Sequence, residues 1–236
     1  MESTKIKNQL KILSKDFNFE YNPNWFNVMW ISKRHARYLE YVGMCFDPIY
    51  TKFGKTIEKR IENIEKFESS KEFKKIKHEF SGQAITKKEV LKGIKDCKKI
   101  KNLKLKKELL NLHDSILKSL KEDNLALLTK TNNKKQKEIL LNSILFHEWI
   151  HLLLMKNKIY FKSHGDRFWK YDEGIVTYFE HYSKKRLNYL ESTKNKVKYP
   201  SQKLYFVYAI KFRELLKNIE NPKERKNKIF NLMNNL

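Results

Sequence analysis

Two histidines four residues apart are the clearest chemical signal in the sequence. His147 and His151 belong to the segment 135–156, KQKEILLNSILFHEWIHLLLMK, in which apolar residues recur every three or four positions. This periodicity predicts a helix that places both imidazoles one turn apart on its inward-facing, apolar stripe. Zinc binds histidine nitrogen at about 2.0–2.1 Å, so one ion can reach both rings. The spacing therefore predicts a zinc site.

Glu148 follows the first of these histidines and is placed for acid–base chemistry. It lies about 100° around the helix from His147, so it borders the metal without pointing straight at it. A carboxylate in that position can accept a proton from zinc-activated water, whose pKa the metal lowers to about 7. The pattern predicts hydrolysis with Glu148 as the general base. The alternative is a pair of core histidines bonded to backbone carbonyls, with Glu148 exposed.

A second predicted helix supplies candidates for the third ligand, because a catalytic zinc ion commonly binds three protein side chains and a water. In the segment 171–183, YDEGIVTYFEHYS, Glu173, Thr177 and Glu180 recur at spacings of four and three residues. This polar stripe could face the histidines. Glu173 would then be the third ligand, and Glu180 could accept the free ring N–H of a ligating histidine. The alternative for Glu180 is a solvent-facing helix carboxylate.

HEWIH at 147–151 followed by DEGIVTYFE at 172–180 resembles the gluzincin zinc peptidases, the clan of thermolysin and aminopeptidase N, and in particular its small minigluzincin or peptidase MA-like members. The resemblance covers about 145–183. It implies zinc as cofactor, Glu173 as third ligand and Glu180 as the support of a histidine. The chain has no GxMEN sequence, so the resemblance does not imply aminopeptidase activity.

His164 is the competing third ligand. It lies in 163–170, SHGDRFWK, and HExxH followed by such an HGxxF-like segment resembles the SprT and WLM families. That resemblance implies a protease acting on proteins crosslinked to DNA. Histidine is also the better intrinsic zinc ligand. We prefer Glu173, because the match to its helix continues for several residues beyond it, whereas the match around His164 stops at Lys170.

A donor for the developing oxyanion is expected from a later helix. The segment 199–218 begins with Pro200 in its first turn, a position that proline favours. Tyr199, Tyr205 and Tyr208 are its candidate hydroxyl donors. The gluzincin resemblance mildly favours Tyr199, and packing is the alternative role for each.

The fold is predicted to be mainly helical, because the chain has only 6 Gly and 4 Pro. Lys-rich amphipathic helices are expected over about 54–122, one with a capping box of Thr86 and Glu89 and another over 103–120. The apolar segment 124–129, NLALLT, predicts a strand that could offer its edge to extended substrate.

These elements predict an α+β fold, mainly α with a small β-sheet. With the gluzincin resemblance, they suggest a zincin-like catalytic core at 123–236. A helical, Lys-rich N-terminal region at 1–122 would then cover or regulate the cleft.

Charge and composition define the expected partners. The net charge is +24, but the excess is mostly Lys scattered along the whole chain, which is typical of compositional bias. We expect a peptide or unfolded protein as substrate, with weak nucleic-acid binding through the basic surface. A non-enzymatic nucleic-acid-binding helical protein is the alternative from another class.

Cysteine usage and hydropathy indicate the compartment. Cys45 and Cys97 are far apart and form no CxxC pair, so we expect two reduced thiols, and any metal must use histidine and carboxylate. No segment approaches the roughly 20 uninterrupted apolar residues of a membrane span, and the first residues lack the apolar core of a signal peptide. These features predict a cytoplasmic protein without membrane insertion.

Overall fold

A computed structural model describes residues 2–41, 59, 63, 82–122, 124–159, 169–197 and 200–234. It is mainly helical with one small mixed sheet, which confirms the predicted α+β class. The helices expected between 54 and 81 lie almost entirely outside the described residues. The chain forms two compact units, residues 24–140 and residues 1–23 with 141–236.

The unit of residues 24–140 contains a three-stranded sheet. Its central strand β3 (Asn124–Thr129) confirms the predicted strand, and all six of its residues are buried. It runs parallel to β1 (Val28–Ile31) and antiparallel to β2 (Gly82–Thr86), with Leu127 opposite Met29 and Gln83. The prediction that this strand offers a free edge is wrong, because β3 is hydrogen-bonded on both sides.

Helices cover this sheet and bury an aliphatic core. Thr86 and Glu89 form the predicted capping box, in which the Thr86 hydroxyl accepts from the Glu89 amide and the Glu89 carboxylate accepts from the Thr86 amide. The core includes Ile85, Leu125 and Leu127, which are almost completely buried. Among the described residues, the helices of this unit are α2 (Lys33–Tyr41), α3 (Lys87–Cys97), α4 (Leu103–Ser119) and α5 (Lys134–Ile139).

The other unit is a helical assembly with an aromatic core. The ring of Phe17, just after the first helix, packs edge-on against Phe179 at 4.8 Å and Tyr182 at 5.0 Å between ring centroids. Its elements, in the residues that the structure describes, are α1 (Glu2–Asp16), α6 (Leu145–Lys156), α7 (Trp169–Ser183), α8 (Leu190–Lys196), α9 (Pro200–Leu216) and α10 (Pro222–Asn234), with short 3-10 turns at Pro23–Trp25, where the chain passes between the units, and Leu187–Tyr189.

The helical run Lys134–Lys156 has the length and composition of a membrane span. Half of its most apolar 18-residue window is buried within the protein, however. Core helices of globular proteins have the same length and composition, so these properties alone do not indicate membrane insertion.

Candidate metal centre

The helix that carries the two histidines is not uniformly α-helical. Residues Leu140–Ile144 form a π-helical turn between α5 and α6. The apolar stripe predicted over 135–156 is therefore interrupted at this turn, because a π turn contains extra residues and changes the direction of the side chains before it. The HExxH residues themselves lie within regular α-helix.

The predicted general base and the two histidines of α6 differ in their exposure to solvent. Trp149, Ile150 and Leu153 are almost completely buried, and so is Glu148 at 8% exposure. The side chains of His147 and His151 are 20% and 16% exposed, respectively. The buried position of Glu148 contradicts the alternative in which it is a solvent-exposed glutamate, and the histidines occupy the more open side of the helix.

Three side chains that can ligate a metal converge from α6 and α7. The two Nε2 atoms of His147 and His151 are 3.3 Å apart. Glu173 places Oε2 3.1 Å from the first of them and Oε1 3.6 Å from the second. Ligands at about 2.0–2.1 Å from one tetrahedral zinc ion are themselves about 3.3–3.4 Å apart. The donor set therefore fits zinc in chemistry and in spacing.

Local structure explains how Glu173 reaches the histidines. It lies in the second turn of α7, which packs against α6. The Thr177 hydroxyl donates to the Glu173 carbonyl at 2.8 Å, so that side chain bonds within its own helix. The predicted polar stripe is thus present, with the carboxylates rather than Thr177 directed to the histidines.

Glu180 approaches the opposite nitrogen of the first histidine. Its Oε2 lies 3.5 Å from Nδ1 of His147, and its side chain is only 17% exposed. The alternative of a solvent-facing carboxylate does not describe this position. A carboxylate on that side favours the ring tautomer whose Nε2 lone pair points toward Glu173.

The charges of the cluster are strongly coupled. Burial lowers the pKa of His147, but hydrogen bonds and charges from Glu173 and Glu180 outweigh it and raise that pKa well above its ordinary value. Burial also lowers the pKa of His151, but the hydrogen bond and charge of Glu173 outweigh it and raise that pKa. The charge of Glu148 makes a smaller contribution in the same direction. Burial raises the pKa of Glu173, but the two histidines lower it further than burial raises it. Carboxylates that attract protons to these rings would equally attract a divalent cation.

Comparison with protein-family models, with curated proteins and with solved structures finds no match. The gluzincin and SprT-like resemblances therefore stay predictions from motifs. The case for a metal centre rests on the geometry of its donor atoms.

The other predicted site residues have different outcomes. His164 and Tyr199 lie outside the described residues. The ring of Tyr208 packs on Tyr171 with centroids 4.2 Å apart. Burial raises the pKa of Tyr208, but hydrogen bonds from Lys170 and Tyr171 and nearby positive charges outweigh it and lower that pKa. The pairing with Tyr171 was not predicted, and only the packing of α7 on α9 creates it.

Proposed function

We propose that this chain is a zinc-dependent peptidase that hydrolyses peptide bonds with Glu148 as general base. The observation that carries the proposal is the convergence of His147, His151 and Glu173 at separations suited to one tetrahedral ion. Three protein ligands with a position left for water are typical of catalytic rather than structural zinc sites.

The residues of the site would have three roles: binding the metal, orienting a ligand and transferring a proton. His147, His151 and Glu173 would hold the ion, and Glu180 would orient His147 through its Nδ1–H. When bound, zinc supplies a Lewis acid that polarises a carbonyl and lowers the pKa of water to about 7. The buried Glu148 carboxylate would accept the proton of the attacking water and deliver it to the leaving amine.

Peptides and unfolded proteins are the proposed substrates. The histidine side chains retain partial exposure while Glu148 and most apolar residues of α6 are buried, so an extended chain could reach the site from the histidine side of the helix. The positive net charge would contribute weak attraction to nucleic acid or to acidic substrates through the basic surface.

Metal analysis combined with hydrolysis of casein, an unfolded protein, tests this function. We expect about one zinc per chain, lost in His147→Ala and His151→Ala, as three-ligand catalytic sites require. Glu148→Gln should keep zinc but lose hydrolysis, because the amide cannot accept the proton. Glu138→Gln, a change to an exposed glutamate earlier in the same helical run, is the matched control and should retain both.

Two results would contradict the proposal. Full hydrolysis by Glu148→Gln would exclude the general-base mechanism. Zinc retained in Glu173→Ala but lost in His164→Ala would replace Glu173 with His164 as ligand and favour the SprT-like alternative.

A further inference from the structure

A second site lies within the unit that carries the metal centre. It is a cavity of about 370 Å³ between α7, α9 and α10, near the 3-10 turn at Leu187–Tyr189. Such a volume is within the range of small-molecule pockets. Among the described residues, its polar lining comprises two phenols, one amide and three cations: Tyr178, Tyr182, Asn188, Arg213, Lys217 and Arg225.

The cavity is separate from the metal centre because it uses another face of α7. At 100° per residue, Tyr178 lies about 140° and Tyr182 about 180° around the helix from Glu173. Glu180 lies only about 20° from Glu173. One face of α7 therefore serves the histidines, and the opposite face lines the cavity.

The hydroxyl of Tyr178 is the decisive feature of this cavity. The residue is only 3% exposed, and no residue in the described part of the chain hydrogen-bonds its hydroxyl. No fully enclosed side-chain oxygen or nitrogen in that part lacks a partner, so this hydroxyl must reach accessible space, and the cavity is the space it lines. Burial raises the pKa of Tyr178 well above its ordinary value, so the hydroxyl keeps its proton. The hydroxyl therefore presents a protonated donor to whatever occupies the cavity.

Arg225 supplies a cation that has no counter-ion in the part of the chain that the structure describes. Its Nε donates to the Ile219 carbonyl, and its Nη1 donates to the Asp16 carbonyl and to the Tyr182 hydroxyl. Within the described residues, its Nη2 makes no hydrogen bond and no carboxylate is at ion-pair distance. The nearby Asp16 carboxylate accepts from Tyr182 instead. Arg225 therefore has both spare N–H groups and an unneutralised charge.

The other two cations are held by carboxylates. Arg213 makes paired contacts with Glu191 and also contacts Glu214. Lys217 donates to Glu214 at 2.6 Å, which uses one of its three N–H groups. These pairs largely neutralise the rim, so the unsatisfied positive charge is centred on Arg225.

We propose that this cavity binds a small organic oxyanion, a molecule with phosphate or carboxylate oxygens on a compact apolar body. Tyr178 O–H and Arg225 Nη2 have no hydrogen-bond partner among the described residues and are both donors, and charge-assisted bonds to an anion are the strongest they can form. Leu187 and Leu216 complete an apolar wall that an inorganic ion alone would leave unused. The inference does not depend on the proposed peptidase function.

Calorimetric titration at constant ionic strength tests this site with three probes: phenyl phosphate, benzoate and inorganic phosphate. We expect saturable binding of phenyl phosphate or benzoate that is tighter than that of inorganic phosphate, and their order identifies the preferred headgroup. Tyr178→Phe removes only the hydroxyl and should weaken binding about tenfold, as expected for a hydrogen bond to a charged group.

The controls separate the cavity from the rest of the basic surface. Tyr21→Phe removes a hydroxyl that donates to the Lys7 carbonyl in the same unit and should leave binding unchanged. Arg225→Lys keeps the charge but loses Nη2 and should also weaken binding. If that variant unfolds, Tyr178→Phe still decides the question. Absence of saturable binding, or equal binding in wild type and Tyr178→Phe, would overturn the inference.

A zinc ion at the proposed metal centre could also bind the anionic probe, so binding there must be distinguished from binding in the cavity. Titrations repeated after removal of zinc with a chelator should give the same affinity, because the cavity lies on the other face of α7. Binding that disappears with zinc would place the anion at the metal centre and overturn the cavity site, while leaving the proposed peptidase function intact.

Discussion

Gly174 lies directly against Tyr208. A Cβ atom added to the glycine would meet the Cβ of Tyr208 at 2.3 Å and its backbone carbonyl carbon at 3.3 Å. Gly174 follows Glu173 in α7, and Tyr208 belongs to α9. The missing side chain thus allows close approach of two helices beside a proposed zinc ligand.

Gly174→Ala should destabilise the protein although alanine is the better helix former. Helix propensity alone predicts that the free energy of unfolding increases by about 1 kcal/mol. The overlap with Tyr208 should instead cost about 1–3 kcal/mol, as overpacking commonly does, and should weaken zinc binding by displacing α7. Urea unfolding and zinc titration of the variant measure the two effects.

A double-mutant cycle controls for this contact. In a Tyr208→Gly background, which removes the overlapping Cβ, Gly174→Ala should cost less free energy of unfolding than it costs alone. Equal costs in both backgrounds would show that the two residues do not interact in this way.

Glu180→Gln should weaken zinc binding by about tenfold or more without removing it. Loss of a carboxylate that orients a ligating histidine typically has this size of effect. The expected cause is the loss of the charge 3.5 Å from Nδ1 of His147. Competition with a chelating dye measures the affinity, and Glu224→Gln in the first turn of α10 is a matched control. An unchanged affinity would remove the orienting role of Glu180.

Zinc should stabilise one unit selectively, since all three proposed ligands belong to the unit of residues 1–23 and 141–236. At a free zinc concentration 1,000 times the Kd, the free energy of unfolding of that unit should increase by about 4 kcal/mol. Hydrogen exchange of backbone amides should slow in α6 and α7 and remain unchanged in α4 of the other unit. His151→Ala should abolish the protection, and slowing throughout both units would contradict the selectivity.

His113 should make the unit of residues 24–140 acid-sensitive. Burial lowers the pKa of its ring, against smaller opposing effects of the Leu109 carbonyl and Asp114. The unfolded chain binds a proton on this ring near pH 6.5, whereas the folded chain binds it only at lower pH. Stability is therefore greatest above about pH 6.5 and falls as pH decreases through the window below it. His113→Gln should flatten this decrease in urea midpoints between about pH 7.5 and 5.5, and an unchanged slope would exclude the effect.

Local sequence patterns predicted several helices and one strand. The strand at 124–129 and the capping box of Thr86 and Glu89 match the structure, and the helices predicted at 103–120 and 199–218 differ from it by one or two residues at their ends. These features depend on hydrogen bonds and side-chain periodicities between residues close in sequence, so a single sequence contains the necessary information.

Within one helix, the HExxH spacing determined that His147 and His151 share a face with Glu148 beside them, because helix geometry alone sets those positions. Whether a carboxylate meets them depends on the packing of α7 against α6, which only tertiary structure decides. The same holds for the central position of β3, the contact of Gly174 with α9 and the cavity at Tyr178. Each of these features joins residues that are far apart in sequence. Contacts of this kind leave no periodic pattern in the local sequence, whereas a helix does, so only the tertiary structure decides them.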